Sequence, residues 1–154
     1  MKNYLWTLLL VMGCAGAAWA QEPPKVELRA QHMERDANGA ERYVPARQVR
    51  PGQVVRYEAL VKPVSAPLKG SDVTLPIPSG MALLAGSITP MVGVTVSLDG
   101  LVFQSLPVTR KVLREGKEIE EEVPFSEFRA VRWSPALIPS GAGFSGSVRV
   151  RVGG

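Results

Sequence analysis

Hydrophobic and polar residues alternate with a period of two along much of the chain, which is typical of half-buried β-strands. The segment 26–31 (VELRAQ) begins this pattern, and the segment 147–152 (SVRVRV) ends it with valines on one face and Arg149 and Arg151 on the other. No stretch repeats apolar residues at i, i+3, i+4 and i+7, as an amphipathic helix would. The pattern therefore predicts an all-β domain.

Glycine and proline divide this pattern into short strands. The chain has 15 Gly and 13 Pro, and this excess over average usage disfavours a helical bundle. Pro51-Gly52 precedes a predicted strand over 55–61, and a strand over 72–77 stops at Pro76 because proline cannot donate to a sheet ladder. About seven to nine short strands separated by turns describe a β-sandwich of antiparallel strands.

The first strand is predicted to continue into an added N-terminal hairpin. A three-residue loop that ends with Gly39 in the left-handed conformation places Arg35 opposite Glu41, whereas a two-residue Asn-Gly turn places it opposite Arg42. Opposite charges stabilise a strand pair and like charges destabilise it, so we expect the longer loop. A second turn, at Asp99-Gly100, suits a two-residue hairpin between strands over 94–98 and 101–103.

A third hairpin, over 110–123, is strongly charged and turns about Gly116. Its first strand is basic and its second strand is acidic, with Arg110, Lys111 and Arg114 facing Glu118, Glu120, Glu121 and Glu122. Because successive strand residues point to opposite faces, Glu118, Glu120 and Glu122 share one face. We interpret this hairpin as salt-bridged and solvated.

One face of each predicted strand supplies the core. Alternation assigns to it Val26, Leu28, Val55, Tyr57, Ala59, Val61, Val73, Leu75, Val94, Val96, Val131, Trp133, Val148 and Val150. Cysteine crosslinks do not contribute, because Cys14 is the single Cys of the chain and lies ahead of these strands. The domain is therefore expected to be stabilised by packing.

The N-terminus predicts export from the cytoplasm. Lys2 precedes an apolar run over 4–13 that is too short to span a bilayer, and Ala18-Trp19-Ala20 has small residues at the cleavage positions. We expect a signal peptide over 1–20, a linker over 21–24 and one domain over 25–154. The alternative is a lipid attached to Cys14, which follows Gly13 and would anchor the chain to a membrane.

Four segments occur in an order that resembles a known bacterial family. They are VRPGQVVRYEALV at 49–61, LPIPSGMALLAGS at 75–87, AVRW at 130–133 and LIPSGAGFSGSVRVRV at 137–152. This order resembles the bacterial domain-of-unknown-function family eleven, an Ig-like conserved surface repeat. Gln53, Leu75 and Leu84 stand where that family usually has Asp, Asp and an aromatic residue. The resemblance implies an Ig-like sandwich in an envelope or secreted protein, here as a single copy, and no catalytic residues.

The chain has few residues of the types and spacings that catalysis, metal binding or nucleic-acid binding requires. His32 is the single His, and it falls in the alternating pattern of the first strand rather than beside a nucleophile. The segment 36–41 resembles part of a calcium loop but has Ala40 at the third ligand position. The net charge is +4, and no basic cluster is interleaved with aromatic residues. We expect no enzyme activity, no cofactor, no metal and no nucleic-acid partner.

The last strands supply the candidate interaction surface. If these strands pair, Arg132, Arg149 and Arg151 are aligned as a cationic stripe on one outer face. Such a stripe attracts an anionic envelope polymer, an acidic partner, or the face of Glu118, Glu120 and Glu122 in a second copy. The final strand ends two residues before the C-terminus, so its edge is a candidate for strand addition by a partner.

The predicted function is that of an exported, non-enzymatic structural or protein-interaction subunit of the cell envelope. Its partner would be an envelope protein or polymer, or a second copy, and a membrane contact would arise only through a lipid at Cys14. The alternative is a module that binds an envelope polysaccharide or polyanion. Tyr43, Phe125 and Phe128 are the aromatic residues that could serve as its sugar platform.

Overall fold

The computed structural model describes residues 25–63, 72–134 and 141–153. The predicted signal peptide over 1–20, the linker over 21–24 and Cys14 lie outside the described residues. The one helical turn within these three ranges is far shorter than the apolar helix that a membrane span requires.

The described residues form eleven strands and one short 3-10 helix. In chain order they are β1 (Val26–Arg35), β2 (Glu41–Pro45), β3 (Val54–Val61), β4 (Val73–Pro76), β5 (Met81–Leu83), β6 (Val94–Ser97), β7 (Gln104–Ser105), β8 (Thr109–Arg114), β9 (Lys117–Glu122), η1 (Phe125–Glu127), β10 (Ala130–Trp133) and β11 (Phe144–Val152). The expectation of an all-β chain is confirmed.

Two antiparallel sheets pack face to face. One contains five strands in the order β2-β1-β3-β11-β5, and the other contains four in the order β4-β10-β6-β7. β8 and β9 form a separate two-stranded sheet. The two packed sheets together hold nine strands, so the predicted β-sandwich is confirmed, with the N-terminal hairpin built into its larger sheet.

The core lies between β3 and β11 of one sheet and β4, β6 and β10 of the other. Its predicted members that are buried are Val55, Ala59, Val61, Val73, Leu75, Val94, Val96, Val131, Trp133, Val148 and Val150. Buried residues that alternation did not reveal lie mostly at strand ends, in short strands and in loops: Ile77, Leu83, Ile88, Val108, Val123, Phe128 and Ala130. Tyr57 is partly buried and packs against this core.

Gly146 lies near the start of β11, where the core leaves no room for a side chain. A Cβ at this position would lie 2.9 Å from the Phe144 ring and 3.1 Å from Cδ2 of Trp133. A glycine inside a strand often marks such a close approach. The aromatic side chains therefore pack directly over the backbone of β11.

Two predicted core residues are exposed instead. Val26 is 39% and Leu28 is 52% exposed, although they pair with the buried Val61 and Ala59 of β3. The fully buried residues of the larger sheet come from β3, β5 and β11, whereas β1 and β2 contribute none. β1 therefore lies at the rim of the core, which its Ala30 contacts, and the prediction for Val26 and Leu28 was wrong.

The N-terminal hairpin has the predicted three-residue loop. Arg35 pairs with Glu41 and Glu34 with Arg42, and Gly39 has a φ of 80°. The Asp36 carboxylate accepts hydrogen bonds from the backbone N–H groups of Asn38 and Ala40, at 2.9 Å each. The loop is thus closed by its own aspartate, and the strand register beyond it is the predicted one.

The turn at Asp99-Gly100 differs from the predicted two-residue hairpin. The strand that returns from β6 is β7, whose Ser105 pairs with Thr95, so residues 98–103 form a loop. The Asp99 carboxylate organises this loop by accepting hydrogen bonds from the N–H groups of Leu101 and Val102, at 2.8 and 2.9 Å. These local bonds compete with a tight turn, which is a known behaviour of aspartate.

The folding stability of the domain is expected to depend on pH through Asp99. The N–H groups of Val102 and Leu101, followed by the Ser97 hydroxyl, hold the pKa of Asp99 below its ordinary value. A lowered pKa gives stability that is present above the unfolded value of about 3.9 and is lost as the pH falls through the folded pKa. We expect Asp99→Ala to be less stable than the native chain at pH 7, and the difference to shrink at pH 3. Urea unfolding at both pH values checks this, and an equal difference at both would contradict it.

Candidate interaction surfaces

The charged hairpin is a distinct arm of the molecule. We call residues 109–122, which comprise β8, β9 and their turn, the acidic arm. Glu115 and Gly116 form the turn with φ values of 52° and 76°, and positive φ at both central residues suits a two-residue hairpin. The predicted turn about Gly116 is confirmed.

One face of the acidic arm carries three of its glutamates. Register places Glu118, Glu120 and Glu122 on this face, opposite Leu113, Lys111 and Thr109. Lys111 Nζ lies 2.7 Å from Glu118 Oε1, and the Thr109 hydroxyl donates to Glu120. Because Lys111 is the only cation of this face, the face has a net negative charge, as the sequence predicted.

The opposite face of the acidic arm ties it to the sandwich. Arg110 donates two hydrogen bonds to the Glu127 carboxylate of η1, at 2.6 and 3.0 Å, and Arg114 donates one to Glu121 at 2.6 Å. Hydrogen bonding to Glu127 raises the pKa of Arg110, while hydrogen bonding to Arg114 lowers the pKa of Glu121. Exposed ion pairs contribute little to stability, but the pair of Arg110 and Glu127 orients the arm on the sandwich.

The acidic arm buries few of its own apolar side chains. Leu113 is 75% and Ile119 is 41% exposed. Burial begins at the base, where Val108 and Val123 are in the core and the N–H of Val123 donates to the carbonyl of Val108 at 2.8 Å. The arm therefore extends from the sandwich without contributing to its core.

The expected stripe of three arginines does not form. β10 pairs with β4 and β6, whereas β11 pairs with β3 and β5, so Arg132 lies in a different sheet from Arg149 and Arg151. Both edges of β10 are occupied, which leaves β11 no place beside it. The last two strands therefore do not pair, and the condition for the stripe is not met.

Arg132 is instead held on its own sheet. Its Cζ lies 3.5 Å from the centroid of the Phe103 ring, its Nε donates to the Thr74 hydroxyl at 3.2 Å, and its Nη1 lies 3.6 Å from the Asp72 carboxylate. A guanidinium over an aromatic face is a favourable contact. Arg132 therefore packs against the outside of the smaller sheet.

Arg149 faces a different arginine, which sequence reasoning missed. It pairs directly with Arg56 of β3 across the larger sheet, and Arg151 lies two residues further along the same face. Arg56 Nη2 donates to Glu58 Oε1 at 3.2 Å and to the Ser147 hydroxyl at 3.3 Å. Alternation already predicts that Arg56 points outward, but the partner of its strand is not visible in the sequence.

A small cavity opens beside this arginine pair. We call it the cationic groove. It has a volume of about 290 Å³ and is lined by Tyr43, Arg56, Gly86, Ser87, Thr89, Ser147 and Arg149. Arg151 is not among the lining residues.

The final strand has no open edge over most of its length. β11 pairs with β3 on one side and with β5 on the other. Beyond β5, Thr89 and Ser147 exchange two backbone hydrogen bonds at 2.8 and 2.7 Å, and the N–H of Leu84 donates to the carbonyl of Arg149 at 2.9 Å. The structure therefore does not support β11 as a candidate for strand addition, because this edge is already used.

A second cavity, of about 890 Å³, lies beside His32 and Glu34. His32 Nε2 is 2.8 Å from Glu34 Oε1, whereas His32 Nδ1 and Gln31 Oε1 are buried without a hydrogen-bond partner. Among the described residues, no three His, Cys, Asp or Glu side chains converge as a metal site would require.

The aromatic residues expected to form a sugar platform are not gathered at the surface. Phe128 is fully buried, and Phe125 is partly buried with its ring 5.7 Å from that of Phe128, in an edge-to-face arrangement. Tyr43 is 44% exposed and lies at the cationic groove. Tyr43 is therefore the one residue of the three that can offer a ring to a ligand.

Fold and surfaces together define a β-sandwich whose polar chemistry lies on a projecting arm and on the outside of its larger sheet. Comparison with known protein families, with characterised proteins and with solved structures finds no match to this chain.

Proposed function

We propose that this chain is an exported, non-enzymatic interaction subunit of the cell envelope that binds its partner through the acidic arm. The observation that carries the proposal is that the arm is well ordered by its own ladder and ion pairs, yet it pairs with neither sandwich sheet. A segment that adds nothing to the core is available for contact with another molecule.

The surface of the acidic arm suits a protein partner. The exposed side chain of Leu113 near the turn offers apolar area, and Glu118, Glu120 and Glu122 beside it offer charge. Apolar contact supplies affinity, while charge complementarity speeds association and selects the partner. A basic surface with an apolar centre is the partner chemistry that fits.

Export and family membership belong to the same proposal. The N-terminal sequence supports export, with cleavage after Ala20 or a lipid on Cys14, and the β-sandwich agrees with the resemblance to the Ig-like surface repeat. The alternative role, binding of an envelope polysaccharide or polyanion, is favoured at one place, the cationic groove.

Removal of the acidic arm is expected to leave the sandwich folded. Since Val108 and Val123 are already paired, residues 109–122 can be replaced by Asn-Gly, which closes a two-residue hairpin. We expect the melting temperature to change by less than about 5 °C, corresponding to roughly 1 kcal/mol, and the near-UV circular dichroism to be retained. Unfolding of the shortened chain would contradict the description of the arm as independent of the core.

Partner binding is tested in intact cells with a photo-crosslinking residue at position 113, and with one at the exposed position 92 of the sandwich as control. We expect an adduct from position 113 that disappears when Glu118, Glu120 and Glu122 are changed together to Lys. An adduct with a second copy would identify self-association. Equal crosslinking from both positions, or no effect of the charge reversal, would overturn the proposal.

A further inference from the structure

The cationic groove carries a charge arrangement that the fold itself does not require. Arg56 and Arg149 are directly opposite each other in adjacent strands, and like charges in that position destabilise a sheet. None of the lining residues is acidic. Such a pair is costly when the groove is empty and favourable when an anion lies between the two guanidinium groups.

The two arginines differ in how far they are neutralised. Arg56 is partly neutralised by Glu58, which also accepts a hydrogen bond from the Ser145 hydroxyl at 2.9 Å. Within the described residues, Arg149 has no ion-pair partner: its recorded hydrogen bonds are those of its backbone, to Ser87 and Leu84. The guanidinium of Arg149 therefore keeps its donors for a ligand.

The remaining walls of the groove offer hydroxyl groups and one aromatic ring. Ser147 already accepts a hydrogen bond from Arg56, and Thr89 is a second hydroxyl-bearing residue of the lining. Tyr43 lies with its ring centroid 5.0 Å from Cζ of Arg56, which holds the guanidinium in place. The volume of about 290 Å³ is at the lower end of ligand pockets and suits one sugar unit.

The geometry points to the cationic groove as a binding site for a hydroxylated anion, a sugar that bears a carboxylate or phosphate group. The guanidinium groups of Arg56 and Arg149 receive the anion, because planar guanidinium donors match carboxylate and phosphate oxygens. Ser147, Thr89 and Tyr43 contact the sugar. This inference goes beyond the role of the acidic arm, since the arm is connected to the smaller sheet and the groove lies outside the larger one.

The test is an NMR or calorimetric titration of the purified protein with glucuronate, glucose 6-phosphate and neutral glucose. We expect saturable binding of at least one of the two anions and none of glucose. Arg149→Gln is expected to weaken that binding by about tenfold, the usual effect of removing a charge-assisted hydrogen bond. Arg151→Gln is the matched control, because it removes the same charge from the same strand and face but lies outside the groove.

Each outcome decides for or against the cationic groove, and none depends on whether the acidic arm binds a partner. Equal weakening by the two substitutions, binding of glucose as strong as that of glucuronate, or no saturation by either anion at tens of millimolar would overturn the site. A parallel titration with polygalacturonate separates two sources of the anion: binding of the polymer indicates an acidic polysaccharide, and binding of the single sugars alone indicates a free sugar acid or phosphate. Unchanged melting temperatures confirm that both variants fold.

Discussion

Trp133→Ala is expected to lower the free energy of unfolding by about 3–5 kcal/mol, the range found for large aromatic side chains removed from a core. Trp133 is 1% exposed, and its ring packs at a tilt against Phe144 with 5.8 Å between the centroids. Its indole Nε1 donates to the Pro90 carbonyl at 2.8 Å. The alanine variant thus loses packing on both sheets and leaves the Pro90 carbonyl without its donor.

Urea unfolding of two companion variants separates these causes. Trp133→Phe keeps an aromatic ring but removes the donor to Pro90. Its free energy of unfolding is therefore expected to lie between those of the native chain and the alanine variant. Leu28→Ala, at a position that alternation assigned to the core, is expected to cost less than about 1 kcal/mol because the side chain is half exposed. A Leu28→Ala variant as unstable as Trp133→Ala would show that β1 lies in the core.

Alternation predicted the faces of the strands well, since a period of two follows directly from strand geometry. Alternation could not predict which of these strand faces the opposite sheet would cover. Val26 and Leu28 have the same spacing as Val55 and Ala59, yet they lie at the exposed rim of the larger sheet. Coverage depends on how many strands each sheet contains, and that number is a property of the whole chain.

Local chemistry decided which hairpins could be predicted. The loop before Glu41 and the turn at Gly116 follow from charges and glycines within a few residues, and both were correct. The prediction of a two-residue turn at Asp99-Gly100 was wrong because the same aspartate that permits a tight turn can also accept hydrogen bonds from the N–H groups of Leu101 and Val102. Two local solutions competed, and the sequence alone did not separate them.

The sequence predicted only those parts of the candidate sites whose residues lie within one strand. The glutamates of the acidic arm share a face because they alternate along one strand. The arginine pair depends on strands that are far apart in the sequence, since Arg149 of β11 meets Arg56 of β3 rather than Arg132 of β10. Net charge and alternation indicated that cations face outward, but pairing of distant strands decides which of them form a site.

Phe128→Ala is expected to destabilise the domain by about 3–5 kcal/mol, although the sequence suggested a surface role for this ring. Phe128 is fully buried directly after η1, and the backbone of its neighbour Arg129 is hydrogen-bonded to Ser97 at the end of β6 and to Ile77 just after β4. Removal of the ring would leave a cavity under these connections. For a domain of this size, we expect the melting temperature to fall by about 10 °C or more.

Phe125→Ala is the matched control for this prediction. Its ring is partly buried and meets that of Phe128 edge to face, at an interplanar angle of 86°, a contact that adds about 0.5–1.5 kcal/mol to burial. We therefore expect a smaller loss from Phe125→Ala than from Phe128→Ala in thermal and urea unfolding. Because neither ring lies at the cationic groove, binding of a sugar anion should survive Phe125→Ala. If Phe128→Ala kept its stability but lost sugar binding, the ring would act as a surface platform and not as part of the core.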